Sequence, residues 1–159
     1  MTFDDWILAL HVLSAATYGA SIILFWVLVV AVRTTDTAEG TLRLGPMVMI
    51  GNIAVGIGAA GTIIFGVWLA LSVGGYDLWD GWIIAAIVLW VIAAVLGART
   101  GMEYMRGMTK ARELQTAGQS GSNPELLAVN RTQRGVLLHA MVSVVFVLIV
   151  IDMIWKPGA

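Results

Sequence analysis

The sequence predicts an all-α, polytopic membrane protein: an up-down bundle of four transmembrane helices with both termini outside. Hydrophobic residues make up 59% of the 159 positions and charged residues only 12%, far from the averages of soluble domains. The chain also contains four uncharged apolar runs of about 20 residues, the length that crosses a hydrocarbon core of about 30 Å. This length of chain suits one integral membrane domain, residues 1–159.

The four runs give the spanning helices in order along the chain. They predict helices over residues 6–32, 46–72, 81–98 and 135–155. Asp4 and Asp5 precede the first run in place of basic residues, and the run is longer than a usual signal-peptide h-region. We therefore expect it to be retained as a helix. The sequence contains no cysteine, which excludes disulfides, thiolate metal sites and cysteine nucleophiles.

The distribution of charge predicts the orientation of the bundle. Of the nine Lys and Arg residues, only Lys156 lies outside the connections that follow the first and third helices. Because basic residues favour the cytoplasmic side, both termini and the short "GGYDLWDG" loop, residues 74–81, are expected outside. Tryptophans also cluster near that outer boundary, as in an aromatic belt: Trp6, Trp79, Trp82 and Trp155.

Residues 99–134 predict a cytoplasmic helical hairpin. The stretch "ARTGMEYMRGMTKARELQTAG" has no proline and is rich in helix formers, so the third helix is expected to continue to about Ala117. Ser122 or Asn123 can then cap a new helix that has Pro124 at its first position. Two interpretations stay open: a docking surface for a partner or for anionic lipid, and a solvated helical hairpin.

Small residues line two of the predicted helices. The second helix carries "GNIAVGIGAAGTIIFG", and the third carries Ala93, Gly97 and Gly101 at intervals of four. Such surfaces let another helix backbone approach closely. The alternative is a prosthetic group that lies against the bare helix.

Ionisable groups inside the membrane are costly and are therefore functional candidates. His11 lies about 9 Å and Asp152 about 6 Å below the outer boundary, at a rise of 1.5 Å per residue. Similar depths would allow these two side chains to hydrogen-bond. His139 lies about 8 Å from the inner boundary, where Asn52 and Ser143 are its expected partners.

The depths of the two histidines exclude a shared metal ion. Axial nitrogens on one haem iron must lie about 4 Å apart, because metal–nitrogen bonds are about 2 Å. His11 and His139 are separated by about 13 Å along the membrane normal. Two separate haems, or one haem with a different second ligand, stay possible.

His11 therefore has three possible roles. Ser14 and Tyr18 share its helix face, so a polar contact that fixes helix register is the first. The second is a haem or copper ligand, with His11 as the metal ligand and Tyr18 beside it in the cofactor site. In the third, His11, Asp152 and His139 relay protons or ions.

The stretch "LALHVLSAATYG" resembles the first helix of the copper-resistance D / protoporphyrinogen-oxidase-like membrane superfamily. Its helices carry a histidine followed seven residues later by an aromatic residue, here His11 and Tyr18. The stretch "GVWLALSVGGYDLWDGWIIAAIVLWVIAAVLGA", followed by "KAREL", is similar to one branch, bacterial predicted integral membrane proteins with a domain of unknown function. The resemblance implies a bacterial cytoplasmic (inner) membrane and makes His11 a plausible ligand for haem b or copper.

Two departures bear on what the resemblance implies. Tyr18 stands where tryptophan is usual, and the third helix has no intramembrane lysine, which argues against haem binding and enzymatic activity. We expect a non-catalytic bundle that acts as a homo-oligomer or as an accessory subunit of a membrane complex. The alternatives are a haem b or copper protein and a small proton or ion pathway. The expected partners are the lipid bilayer and other membrane subunits, not nucleic acid.

Overall fold

The structure is a computed structural model that describes residues 2–74 and 76–157, and these residues form six helices and no strand. Four helices are long and apolar enough to cross a membrane, which confirms the predicted all-helical class with four spanning segments. The helices are α1 (Phe3–Val32), α2 (Ala38–Arg43), α3 (Gly45–Ser72), α4 (Gly81–Thr116), α5 (Pro124–Asn130) and α6 (Gln133–Trp155).

Local signals account for several helix ends. The Thr2 hydroxyl accepts from the Asp5 backbone N–H and the Asp5 carboxylate accepts from the Thr2 N–H, so α1 begins with a capping box. Gly118, with φ at +72°, follows α4 in the left-handed conformation that glycine adopts most easily. The Asn123 side chain accepts from Leu126 N–H at 3.0 Å and caps α5.

The tightest helix contact is between α1 and α3, and glycines make it possible. A Cβ atom added to Gly58 would lie 2.6 Å from the Tyr18 backbone nitrogen. One added to Gly51 would lie 2.9 Å from the Phe25 ring. The glycine face of α3 is therefore filled by α1, as expected for helices that approach through small residues.

The second close pair is α4 with α6. Ala93 is 1% exposed where the two helices pack. Farther along, the buried Glu103 carboxylate lies 3.1 Å from Arg106 and 3.6 Å from Arg134 of α6. An ion pair therefore joins α4 to α6 where the apolar part of both helices ends.

Bulky side chains separate the two helix pairs. Tyr18 and Ile22 of α1 pack with Val142 of α6 in one buried cluster, to which Trp26 and Phe146 add partly buried surface. The Tyr18 and Phe146 rings meet edge to face at 5.4 Å. The bundle is thus two tight pairs joined by a layer of large side chains.

We call the end of the bundle that holds α2, α5 and residues 33–44 the basic end. There Ala38, Ala111, Leu114 and Leu126 form a buried cluster. The Asn130 amide donates to the Thr35 carbonyl and to the Thr41 hydroxyl, at 3.1 and 2.9 Å. These contacts pack α2 and α5 against α4 as a folded cap. In this cap α5 is a helix separate from α6, because the chain turns at residues 131–132.

The opposite end, which holds residues 73–74 and 76–80, the start of α1 and the end of α6, we call the terminal end. Lys156 follows α6 with φ at +42°, and its ammonium donates to the Tyr76 hydroxyl at 2.7 Å. The same ammonium lies 5.3 Å from the Trp82 ring centre, within the range of a cation–π contact. The end of α6 is thereby attached to the α3–α4 connection.

A matched pair of glycine substitutions tests the α1–α3 contact. Gly58→Ala is expected to lower the free energy of unfolding by about 1–3 kcal/mol, because the new methyl group meets Tyr18 backbone atoms that cannot rotate away. Gly56→Ala is the control, since nothing lies within 4 Å of its added Cβ. Thermal unfolding in detergent measures both, and equal melting temperatures would contradict this account.

Candidate functional site

His11 is held against the backbone of α3. Its Nδ1 lies 3.0 Å from the Thr62 carbonyl oxygen, and a carbonyl only accepts, so Nδ1 carries the hydrogen. The lone pair of a neutral ring is then on Nε2. Gly66 permits this approach, because a Cβ there would lie 2.9 Å from the His11 ring.

Asp152 does not pair with His11. Its carboxylate is 9% exposed and its Oδ2 atom is buried without a hydrogen-bond partner in the described part of the chain. No hydrogen bond or ion pair joins it to His11 there, so the hydrogen bond that similar depth allowed is not formed. The reason is the orientation of α1 about its own axis. Because α1 packs chiefly on α3, His11 faces that helix and finds its acceptor there.

His139 also takes a backbone partner. Its Nε2 lies 3.2 Å from the Ile22 carbonyl oxygen, so Nε2 donates and Nδ1 keeps the lone pair of the neutral ring. The Ser143 hydroxyl donates to the His139 carbonyl, not to its ring, and accepts from Trp26 Nε1 at 2.9 Å. Neither Asn52 nor Ser143 is thus the ring partner that depth suggested.

The predicted polar residues do not come together as one site. Tyr18 is 7% exposed and belongs to the apolar cluster with Ile22 and Phe146. His139 lies against this cluster, with its ring 4.7 Å from that of Trp26, whereas His11 lies against α3 near Thr62. Within residues 2–74 and 76–157, no group of three or more His, Cys, Asp or Glu side chains is arranged to hold a metal ion. Any metal site at His11 would need ligands of another kind.

The structure instead contains a cleft between the two helix pairs, in the half of the bundle toward the basic end. Its volume is about 150 Å³, comparable to cavities that accept a single benzene ring. All four long helices contribute to its walls. Lining residues include Phe25 and Val29 of α1, Val48 and Asn52 of α3, Gly97, Thr100, Gly101, Tyr104 and Met105 of α4, and His139 and Val142 of α6.

The cleft opens between α3 and α4. Asn52 on α3 and Gly101 and Met105 on α4 line it and are exposed. Nothing lies within 4 Å of a Cβ added to Gly97 or to Gly101. The small-residue stripe of α4 is therefore buried at Ala93 and open at the two glycines.

Both ends of the cleft are closed by protein. Leu44 and Met108, beside the α2–α4–α5 cap, line the basic end. Tyr18 and Val142, from the apolar cluster, line the other end. The exposed lining residues lie on α3 and α4, so the opening of the cleft is on that side of the bundle.

Several polar side chains that line the cleft have unused hydrogen-bonding capacity, among them the Tyr18 hydroxyl and His139 Nδ1, which keeps its lone pair. The Tyr104 hydroxyl is buried without a partner in the described residues. The Asn52 side chain likewise makes no hydrogen bond within that part of the chain. The Thr100 hydroxyl, in contrast, donates to the Leu96 carbonyl at 2.8 Å. The sequence did not predict Tyr104 as a site residue, because it lies beyond the apolar run that predicts the third spanning helix. The signal that was available is its position three residues after Gly101.

The unpartnered hydroxyl leads to a stability prediction. Tyr104→Phe is expected to raise the free energy of unfolding of the unliganded protein by about 1 kcal/mol, since a buried hydroxyl without a partner costs about 1–3 kcal/mol. Tyr76→Phe is the matched control and should lower it, because the Tyr76 hydroxyl accepts from Lys156. Thermal unfolding in detergent compares the two, and a clear loss for Tyr104→Phe would mean that its hydroxyl has a partner.

Comparison with known proteins identifies the family. A family model described as "Predicted integral membrane protein (DUF2269)" matches residues 5–157. No curated protein and no solved structure matches the chain. Since the match covers nearly the whole sequence, the chain belongs to the DUF2269 family of predicted integral membrane proteins.

Proposed function

We propose that this protein is a non-catalytic membrane bundle that binds an amphiphilic molecule dissolved in the bilayer. The observation that supports the proposal is the open space beside Gly97 and Gly101 of α4. The glycine face of α3, in contrast, is filled by α1 and offers no space for a ligand. The cleft walls are mainly apolar with a few polar groups, Asn52 and Tyr104 among them. That combination is typical of ligand sites, in which apolar walls supply affinity and a few polar groups fix orientation.

Filling the cleft tests the proposal. Butylbenzene has a ring that matches the cavity, and ligand binding to the folded state raises the melting temperature. Butylbenzene at saturation should therefore stabilise the native protein in detergent. Gly97→Leu should reduce the affinity at least tenfold, because a leucine side chain occupies the space.

Ala20→Leu is the control for this experiment. It introduces the same side chain at an exposed position of α1 that does not line the cleft. Butylbenzene should stabilise this variant as it does the native protein. An unchanged affinity in Gly97→Leu, or an equal loss in both variants, would contradict binding in the cleft.

The remaining surface supports an assembly as part of the same proposal. Gly56 and Ala60 are exposed on α3, and small residues let a second membrane helix approach closely. We include in the proposal that this face contacts a second copy of the chain or another membrane subunit. Size-exclusion chromatography of Gly56→Leu tests this, since an unchanged assembly size would argue against it.

We also infer that the basic end faces the cytoplasm of a bacterial inner membrane. Eight of the nine Lys and Arg residues lie at that end, which the positive-inside rule assigns to the cytoplasmic side. Single cysteines at Asp77 and at Gln119 test the orientation, because the natural chain contains none. An impermeant maleimide added to intact cells should label the Asp77 position and not the Gln119 position.

The second candidate is a haem b or copper protein with His11 as ligand. The Thr62 hydrogen bond favours it, because metal-binding histidines commonly donate their other N–H to a backbone carbonyl. The resemblance of "LALHVLSAATYG" to the copper-resistance D / protoporphyrinogen-oxidase-like superfamily points the same way. Against haem, the cleft holds one six-membered ring, whereas a porphyrin has four five-membered rings, and His11 is not among its lining residues.

An absorption spectrum separates the two candidates. If His11 ligates haem, protein purified from haem-supplemented cells should show a Soret band that His11→Phe abolishes and His139→Phe preserves. A native protein without haem absorbance and without bound copper would remove this candidate. The proton or ion pathway has the least support, since His11 and His139 are each hydrogen-bonded to a backbone carbonyl and not to each other or to Asp152 in the described residues.

A further inference from the structure

We propose that the head of the bound molecule is a neutral, single-ring quinone, with its apolar tail leaving the cleft between α3 and α4. This inference rests on the proposed function and specifies its ligand class. The cavity size, the charge of its walls and the uncommitted polar groups support it independently.

The size of the cavity limits the head to one ring. A volume of about 150 Å³ matches cavities that accept benzene. Two acyl chains or a sugar headgroup need several times that space. A six-membered ring fills it, and the opening beside Gly97 and Gly101 gives a tail a route into the lipid.

The charge of the walls favours a neutral head. No Lys, Arg, Asp or Glu is among the described residues that line the cleft. A phosphate or carboxylate placed there would lose its hydration without gaining a cationic partner, which is strongly unfavourable. A phospholipid head is therefore a poor occupant, even though basic residues are abundant at this end of the bundle.

The uncommitted polar groups favour carbonyl oxygens on the ring. The Asn52 amide and the Tyr18 hydroxyl, both on residues that line the cleft, have hydrogens to donate and no partner in the described chain. A carbonyl only accepts, so it complements such donors. The walls also suit a flat ring, since Phe25 and Tyr104 offer aromatic contacts and Met105 and Met108 offer adaptable thioethers.

Matched ligands test the ring chemistry. The native protein in detergent is titrated with a benzoquinone that carries a decyl tail and with decylbenzene, which has the same tail and no carbonyl. Affinity is measured from the shift in melting temperature and from quenching of tryptophan fluorescence. We expect the quinone to bind at least tenfold more tightly, and a phosphatidylglycerol with short chains not to compete.

Matched variants identify the donors. Tyr18→Phe and Asn52→Leu should each weaken quinone binding about three- to tenfold and leave decylbenzene binding unchanged. Tyr76→Phe, which removes a hydroxyl at the terminal end, should change neither.

The outcomes separate this inference from the proposed function. Equal affinity for quinone and decylbenzene, with both lost in Gly97→Leu, would overturn the quinone head and leave the cleft as a binding site. Insensitivity of quinone binding to both donor substitutions would also overturn it. If neither ligand is affected by Gly97→Leu, the cleft itself is not the site and the proposed function fails as well.

Discussion

The close contact between α1 and α3 is the constraint on which the rest of the bundle depends. Gly58 brings the α3 backbone against the backbone of Tyr18, so little space is left for side chains between these helices. The large side chains of α1, such as Tyr18 and Trp26, must then point toward α6. These side chains separate the α1–α3 pair from the α4–α6 pair. The cleft lies where no side chain of α4 fills the space between the two pairs.

The sequence predicts the helical class well because lipid imposes a simple rule on composition. Four long apolar runs have no other stable form in a bilayer, since every backbone group must be paired within its own segment. The sequence does not predict, however, which small residues are covered by a neighbouring helix. Gly58 and Gly97 both belong to small-residue stripes, yet one meets a backbone and the other open space. That difference depends on the facing helix and cannot be inferred from the stripe.

Helical rise is constant, so the sequence predicts the spacing of residues along a helix axis, but it does not predict the rotation of one helix against another. His11 and Asp152 have similar predicted depths and still do not meet in the structure. Both histidines hydrogen-bond to backbone carbonyls, of Thr62 and of Ile22. Because every residue has a backbone carbonyl, the sequence does not indicate which carbonyl a histidine will bond. Tyr104 stayed hidden for a related reason: its importance arises only from the cavity beside it.

The polar contacts between the helix pairs differ on the two sides of the bundle. Between α1 and α6, the Trp26–Ser143 bond and the His139 bond to the Ile22 carbonyl lie within about one turn of each other. Between α3 and α4, one indole bond, from Trp90 to the Ala59 carbonyl at 3.2 Å, joins the helices. The two helix pairs are therefore held together more firmly along α1 and α6 than along α3 and α4. On the α3–α4 side, where the cleft opens, the Trp90 indole is the polar contact that would have to break for the pairs to separate.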